Sequence, residues 1–331
     1  MSWRQCRRLA AACTFATVTM FVRPSVAEEI VIGEYGFSTN AMPFAVALEK
    51  GFFKEAGADV TGILGSAGGG TTIRNLMSGN LAYGEAALPA VILAIQNGAS
   101  LKIISANTTS AADMSWVARA DSTLNSLKDL AGKKLAYTNP GSTTQSLAIM
   151  MLDIIGLSKQ VELVKTGGLG EGLAALDSGV VDVAPVYEPV LSEKRGKYKV
   201  LGSGGDVIPA LITNVGFTTK SAAGTRAKFI EGVIAGRRKA VEFMHSNPDE
   251  AAAIVAKIYH METSVVRRAF DNVFGIEKHS GTPYYGLGEI KVDAFNNGLK
   301  GMKIAGSLKV EPVWSDIVDE QFLPADQKAH K

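Results

Sequence analysis

The chain has 331 residues, of which 47% are hydrophobic and 20% are charged. This size and composition support one large domain or two medium lobes with a packed core, and they exclude global disorder. The formal net charge is +2 and no basic patch stands out, so nucleic acid is not expected as a partner.

The first 27 residues are typical of a signal peptide. Three arginines within the first eight residues precede an apolar run at 9–22. That run is too short to span a bilayer, because a spanning helix needs about 20 residues. Ser25 and Ala27 fit a signal peptidase site, so we expect cleavage after Ala27 and a periplasmic location. An uncleaved anchor and a lipoprotein cut at Cys13 are the alternatives.

Both cysteines, Cys6 and Cys13, lie in this segment, so the mature chain would contain none. Loss of the signal peptide would therefore exclude disulfides, thiolate metal sites and cysteine nucleophiles from the mature protein. It would also remove four arginines and leave 30 basic against 32 acidic residues. No later run of apolar residues is long enough to span a membrane, so we expect the mature chain to dissolve in water.

From residue 28 onward, short apolar runs alternate with helical patterns that end at glycines. This alternation indicates α/β architecture with a mostly parallel sheet. The predicted strands lie at 30–32, 59–64, 81–87 and 101–106, and the predicted helices at 42–53, 71–77 and 89–96.

The layout then restarts and ends in long amphipathic helices. Strands are predicted at 135–138, 161–165 and 181–186, helices at 144–155 and 171–176, and long helices at 225–244, 248–259, 264–274 and 290–304. We therefore expect a discontinuous first lobe (28–121 and 213–331), to which the C-terminal helices belong, and an inserted second lobe (122–212). The ligand cleft would lie between them, with crossings near 122 and 212.

Three loop-to-helix junctions carry the strongest chemical signal: residues 38–40, 66–72 and 139–144. Each places small polar side chains and bare N–H groups at a helix start, which carries about +0.5 elementary charge and binds anions. In open α/β sheets such junctions lie at the carboxyl ends of strands, where ligands bind. Ordinary capping and turn chemistry is the alternative.

Several catalytic and cofactor motifs are absent or weak. The glycine loop at 65–72 lacks the Lys-Ser/Thr ending of a phosphate-binding loop, and the glycines at 170–175 make only a weak dinucleotide pattern. The four histidines, His245, His260, His279 and His330, have spacings unlike metal sites. No Gly-x-Ser-x-Gly occurs. We expect no cofactor, no metal and no catalytic residue.

Tyr187 and Glu188 follow the strand predicted at 181–186, so we expect them to face the cleft. The alternative is that Glu188 only caps the helix predicted to begin at Pro189. The residues expected to contact a ligand are Ser38, Thr39, Asn40, Gly68, Gly69, Gly70, Thr71, Ala87, Trp116, Asn139, Ser142, Thr143, Thr144, Tyr187, Glu188 and Asn214.

Four stretches carry a resemblance to a known family: MPFAVALEKGFFKEAG at 42–57, GGGTT with LMSGNLAYG between 68 and 84, DLAGKK with PGS between 129 and 142, and AALDSGVVDVA at 174–184. With these, the chain resembles the nitrate/sulfonate/taurine/thiamine-precursor (SsuA/TauA-like) ABC-transporter substrate-binding proteins.

The resemblance implies a type II periplasmic-binding-protein fold whose two lobes close on a ligand and dock onto a permease in the inner membrane. Ligands in the family contact loops that match residues 38–40, 68–71 and 142–144. Taurine-type members place an acidic residue where this chain has Asn214, which argues against taurine. A tryptophan of the same group is replaced by Tyr187.

The function implied is that of a monomeric periplasmic solute-binding component of an ABC importer. Its ligand would be a small polar, anionic solute, such as a sulfonate, nitrate, a carboxylate or a pyrimidine-like molecule. Two alternatives stay open: an enzyme of the same superfold that makes or modifies a pyrimidine precursor, and an exported ligand-sensing domain.

Overall fold

The computed structural model describes residues 27–328. The predicted signal peptide lies outside the described residues apart from Ala27, as do both cysteines and His330. The first strand begins at Glu28, directly after the predicted cleavage point.

Eleven strands are present in the described part of the chain. They are β1 (Glu28–Gly33), β2 (Val60–Ser66), β3 (Gly84–Ala87), β4 (Leu101–Thr108), β5 (Met114–Arg119), β6 (Lys134–Tyr137), β7 (Glu162–Lys165), β8 (Ala184–Tyr187), β9 (Tyr198–Ser203), β10 (Asn214–Thr219) and β11 (Tyr285–Gly288).

Fourteen α-helices lie between and after these strands in the same range. They are α1 (Met42–Glu49), α2 (Phe52–Glu55), α3 (Gly69–Ser78), α4 (Leu88–Gln96), α5 (Thr143–Ile154), α6 (Leu169–Asp177), α7 (Val190–Glu193), α8 (Gly204–Val207), α9 (Lys220–Thr225), α10 (Ala227–Ser246), α11 (Pro248–Tyr259), α12 (Thr263–Ser280), α13 (Val292–Ile304) and α14 (Trp314–Ile317).

A six-stranded sheet in the order β11-β4-β10-β3-β1-β2 forms the frame of what we call the large lobe. Strand β1, between β3 and the edge strand β2, buries Ile30, Val31 and Ile32 completely, as expected of an apolar run covered on both faces. β1 is parallel to β2 and β3, whereas β10 is antiparallel to β3 and β4. The sheet is therefore mixed, and the prediction of a mostly parallel sheet was wrong because β10 inserts between β3 and β4 from far along the chain.

Two smaller sheets, β8-β5-β9 and β6-β7, form the frame of the small lobe. A parallel bridge between Leu135 and Val183 links them. β5 pairs with β8 and β9, so Met114–Arg119 belongs to the small-lobe sheet although the predicted lobe limits number it in the first lobe. Those limits stay a prediction, and the pairing of β5 favours an earlier first crossing, at 109–113.

The predicted helix at 42–53 is two helices, α1 and α2. Gly51 separates them with a left-handed φ of 73°, which glycine adopts without steric cost. Both helices pack against α10, and α11 packs against α1, so these C-terminal helices cover the large lobe. Among the described residues, none of the helices has the length and apolar character needed to cross a membrane.

The last long helices contact both lobes. α12 packs on α11 of the large lobe and on α7 and α8 of the small lobe, while α13 packs between α4 and α5. Gly301 of α13 lies close to α5, where an added Cβ would be 3.1 Å from Met150 Sδ. The two C-terminal helices thus hold the lobes on either side of the space between them.

Candidate functional site

A cleft of about 650 Å³ lies between the two lobes. It is lined by loops that follow β1, β2 and β3 in the large lobe and β6, β7 and β8 in the small lobe, together with residues from the crossings between lobes. A second hollow, of about 510 Å³, lies between α10 and residues 321–327 and involves the large lobe alone. The cleft is therefore the space that both lobes can close upon.

The loop after β1 brings Glu34, Phe37, Ser38 and Asn40 to the cleft. Glu34 has a left-handed φ of 59°, and its N–H donates to the Ser66 carbonyl at 2.7 Å. The Ser38 N–H donates back to the Glu34 carbonyl at 3.2 Å. This tight turn directs the chain across the end of the sheet, so that α1 begins behind the cleft.

Asn40 is anchored from beneath by buried polar groups. Its Nδ2 donates to Glu85 Oε1 at 2.9 Å, and Asn107 Nδ2 donates to the other oxygen of Glu85. Arg237 lies 3.9 Å from Glu85 and donates to the carbonyls of Gly286 and Asn107. Burial raises the pKa of Glu85, and the Arg237 charge opposes that rise. Asn40 therefore occupies a fixed position at the cleft floor.

The glycine loop after β2 starts α3 without any side-chain cap. Gly68 has a φ of 102°, and an added Cβ at Gly69 would lie 2.3 Å from the Ala90 Cβ of α4. The N–H groups at the beginning of a helix have no intrahelical acceptor. Because side chains are absent from Gly68 and Gly69, which line the cleft, the start of α3 presents bare backbone to it.

The small-lobe wall centres on the start of α5. Ser142 caps this helix, because its Oγ accepts from the Gln145 N–H at 3.2 Å and bonds to Thr144 Oγ1 at 2.9 Å. Thr144 Oγ1 also accepts from the Thr138 N–H at 3.0 Å. Ser142, Thr143 and Thr144 all line the cleft, so a second helix start faces it from the opposite lobe.

A third helix start, that of α6, reaches the cleft at Gly168 and Leu169. The Glu171 carboxylate folds back over it, since an added Cβ at Gly168 would lie 2.2 Å from Glu171 Oε2. A carboxylate at this position already stabilises the positive end of the helix. α6 is therefore a weaker anion site than α3 or α5.

Asp113 lies where the chain passes from β4 to β5, between the lobes. Its Oδ2 accepts from Tyr284 Oη at 2.9 Å and from Thr39 Oγ1 at 3.1 Å. Burial raises the pKa of Asp113 to about 7, and the nearby charge of Glu34 contributes to the rise. Partial desolvation by the cleft walls also raises the pKa of Glu34, although this residue is still exposed to solvent. Thr39, a predicted ligand contact, thus serves to position Asp113.

Tyr187 and Glu188 both line the cleft at the end of β8. Burial raises the pKa of Tyr187 well above its usual value, so the phenol keeps its proton. Glu188 Oε2 accepts from the Ser192 N–H at 3.1 Å, and Oε1 accepts from Asn272 Nδ2 at 2.6 Å. Glu188 therefore caps α7 and joins α12 to the small lobe, and it also lines the cleft, so it meets the capping alternative without leaving the position first expected for it.

The family model for NMT1/THI5-like proteins matches residues 38–251, about two thirds of the chain. The chain belongs to the NMT1/THI5-like family. The match includes most of the cleft loops, from Ser38 to Asn214, and it confirms the family resemblance drawn from the sequence. No curated protein matches the sequence.

Solved structures of periplasmic binding proteins share the fold of this family member. The aliphatic sulphonate-binding protein SsuA from Escherichia coli superposes with a TM-score of 0.69 at 17% identity, covering 84% of this chain and 85% of its own. The alkanesulfonate-binding SsuA from Xanthomonas axonopodis pv. citri, bound to MOPS, gives 0.68 at 14%, covering 90% and 99%. The nitrate-binding protein NrtA from Synechocystis PCC 6803 gives 0.64 at 16%, covering 92% and 91%. The predicted two-lobed fold is thereby confirmed.

Most of the predicted contact residues lie together in the cleft. The structure places Ser38, Asn40, Gly68, Gly69, Ala87, Asn139, Ser142, Thr143, Thr144, Tyr187, Glu188 and Asn214 on its walls. Thr39, Gly70, Thr71 and Trp116 are not among the lining residues. Trp116 is fully buried in the small-lobe core, because it lies in the middle of β5 rather than at a strand end.

Sequence reasoning missed Glu34, Phe37, Asp113 and Tyr284, which also line the cleft. Glu34 and Phe37 lie in the same loop as Ser38, so their position just after the first predicted strand was a signal that could have identified them. Nothing local singled out Asp113 or Tyr284, because their positions depend on the crossing and on the strand β11. Within residues 27–328, no group of three or more potential metal ligands occurs.

Proposed function

We propose that this chain is the periplasmic solute-binding component of an ABC importer. It captures a small polar solute between its lobes and passes it, chemically unchanged, to a permease in the inner membrane. The observation that carries this proposal is the cleft of about 650 Å³, which receives helix starts from both lobes. The fold shared with solute-binding proteins supports it.

The starts of α3 and α5 are the proposed site for an acceptor group of the solute, such as a sulfonate or carboxylate. Their unpaired N–H groups carry partial positive charge and lie on opposite walls of the cleft. This arrangement binds an anionic group without a lysine or arginine. The rest of the proposed contact surface comes from Asn40, Tyr187 and Asn214.

The two crossings between lobes are the proposed hinge. They run side by side, because the Thr213 N–H donates to the Thr108 carbonyl and the Leu211 N–H to the Thr109 carbonyl, each at 3.1 Å. A bound solute favours the closed state only by its higher affinity for that state. Small rotations at these four residues would bring the starts of α3 and α5 onto the solute.

Export through a cleaved signal peptide is part of the proposal. β1 begins at Glu28, so cleavage after Ala27 leaves every described strand and helix intact. N-terminal sequencing of protein from a periplasmic extract should give Glu28 as the first residue. Retention of the arginine-rich segment in a membrane fraction would contradict export in this form.

Calorimetric titration of the purified protein with sulfonates, nitrate, carboxylates, amino acids, amines and pyrimidines tests solute binding. At least one compound should bind with a dissociation constant below about 1 mM. Ala67 is exposed and lines the cleft, so Ala67→Trp should abolish that binding. Ala120→Trp adds the same bulk at an exposed position away from the cleft and is the control. Absence of binding by every compound would overturn the proposal.

A further inference from the structure

The cleft carries three carboxyl groups and no basic side chain. Glu34, Asp113 and Glu188 line it, and none of its lining residues among 27–328 is lysine, arginine or histidine. A simple anion would meet no basic side chain in this space, only helix starts, and each carboxyl group would repel it when ionised. The charge distribution of the lining therefore favours a solute that carries a positively charged group besides any anionic group.

Glu188 is not available to bind a charged group of the solute. Both of its oxygens already accept hydrogen bonds from the protein, one from the Ser192 N–H and one from Asn272 Nδ2. Its carboxylate is held within the junction between α7 and α12 and is almost fully buried. The carboxyl groups that remain for a solute are those of Glu34 and Asp113.

Asp113 has one oxygen positioned and the other open. Thr39 and Tyr284 fix Oδ2, whereas Oδ1 receives no hydrogen bond from another residue that the structure describes, although Asp113 lines the cleft. Glu34 is held by its backbone at the turn after β1, and its exposed carboxylate likewise has no partner within 27–328. Each thus offers acceptor atoms to the cleft.

The surroundings of these two acids also suit a cation. Phe37 is 54% exposed although it is apolar, and it lines the cleft with Tyr187. Aromatic faces attract an ammonium group through their negative quadrupole. The charge of Glu34 acts on Asp113 and Tyr187, which places the three side chains in one electrostatic environment.

We infer that the solute carries a protonated amine or an equally basic nitrogen, which binds between Asp113 and Glu34 against Phe37 and Tyr187. This inference rests on the proposed function, since it concerns the solute of the same cleft. The acceptor end of the solute lies at the starts of α3 and α5, and the basic end lies at the hinge. Asp113 and Glu34 are then the residues that select against simple anions.

Titration with pairs of compounds that differ only in the amine tests the inference. Taurine is compared with ethanesulfonate and β-alanine with propanoate, alongside the wider panel of anions, amines and pyrimidines. The compounds that bind should carry a basic nitrogen, and removing it should weaken binding about ten- to a hundredfold. Glu34→Gln and Asp113→Asn should each weaken the amine-bearing binder by about tenfold or more.

Asp153→Asn is the matched control, because Asp153 is an exposed carboxylate on α5 outside the cleft. This variant should bind the amine-bearing compound with the affinity of the wild type. Glu34→Gln keeps the variant set informative if Asp113→Asn folds poorly, since the Glu34 side chain is exposed. If the compounds that bind lack a basic nitrogen, or if Glu34→Gln leaves or improves their affinity, the inference is overturned and the proposed function stands. If no compound binds, both fail.

Discussion

The two lobes hold their cleft walls in place by different means. In the large lobe, Asn40 depends on Glu85 and Arg237, a charged pair that is buried below the wall and connects β3 with α10. In the small lobe, Ser142 bonds to Thr144, and Thr144 bonds to Thr138, all within one short stretch of chain. Damage to the large-lobe wall should therefore cost stability throughout that lobe, whereas damage to the small-lobe wall should stay local.

The largest effect is expected from Arg237→Met, which leaves Glu85 buried without its counter-charge. The free energy of unfolding should fall by about 3–5 kcal/mol, because an unpaired buried charge is strongly destabilising. Urea denaturation measures this, and adding Glu85→Gln should restore part of the loss. Lys239→Met, on the same helix, removes an exposed pair with Glu55 and a cation–π contact with Phe52 and should cost about 1 kcal/mol. Equal losses in the two variants would contradict the comparison.

Asp113 lies between the lobes and should make stability depend on pH. Its pKa is raised to about 7 in the folded protein, so the fold holds a proton that the unfolded chain releases near pH 4. The free energy of unfolding should therefore fall as pH rises from about 4 to 7, by on the order of 2 kcal/mol since Asp113 is only half-buried.

Asp113→Asn should remove this share of the pH dependence, as urea denaturation at several pH values would show. Glu34, Glu188, Tyr187 and Tyr284 also face this part of the cleft, and they stay unchanged in the variant. The wild-type protein and the variant should therefore differ most in slope between pH 4 and 7. Parallel curves would show that Asp113 keeps an ordinary pKa. An amine-bearing solute should bind the wild type more tightly as Asp113 ionises.

The glycines at the start of α3 in the large lobe and at the start of α6 in the small lobe should differ in how tightly they are packed. Gly69→Ala would push a methyl group to 2.3 Å from the Ala90 Cβ and should cost about 1–3 kcal/mol, because α3 and α4 must separate. At Gly170, in the first turn of α6, the same methyl group meets nothing within 4 Å. Gly170→Ala should therefore be neutral or stabilise by less than about 1 kcal/mol. Thermal unfolding distinguishes them, and equal behaviour would mean that α3 is loosely packed.

Local sequence signals predicted the local parts of the site. Strands followed by glycine or hydroxyl residues and then by helical periodicity correctly placed Gly68, Gly69 and Ser142 on the cleft, because a helix start and its preceding loop are set by neighbours in sequence. The family resemblance, together with the strand-helix alternation, predicted the fold class. The alternation of strands and helices alone led to the wrong prediction that the large-lobe sheet is mostly parallel.

Non-local contacts account for what sequence reasoning missed. Asp113 follows two alanines and reaches the cleft only because β5 starts a new sheet, and Tyr284 meets it from 171 residues away. Trp116 was expected to contact a ligand, but it lies opposite Pro185 and Gly202 in the middle of β5, with its side chain in the core. Strand pairing of this kind depends on the whole fold and has no signature within a short window.

The smallest effect is expected at the small-lobe helix cap. Ser142→Ala should cost about 1 kcal/mol, because the Gln145 N–H loses its acceptor. Thr219→Ala is the matched control in the large lobe, since Thr219 caps α9 by accepting from the Ala222 N–H at 3.0 Å. The two losses should be similar in urea denaturation, but only Ser142→Ala should weaken solute binding in calorimetry, because only Ser142 lines the cleft. Equal solute affinities in both variants would show that Ser142 only caps α5. The acceptor end of the solute would then bind at the start of α3 alone.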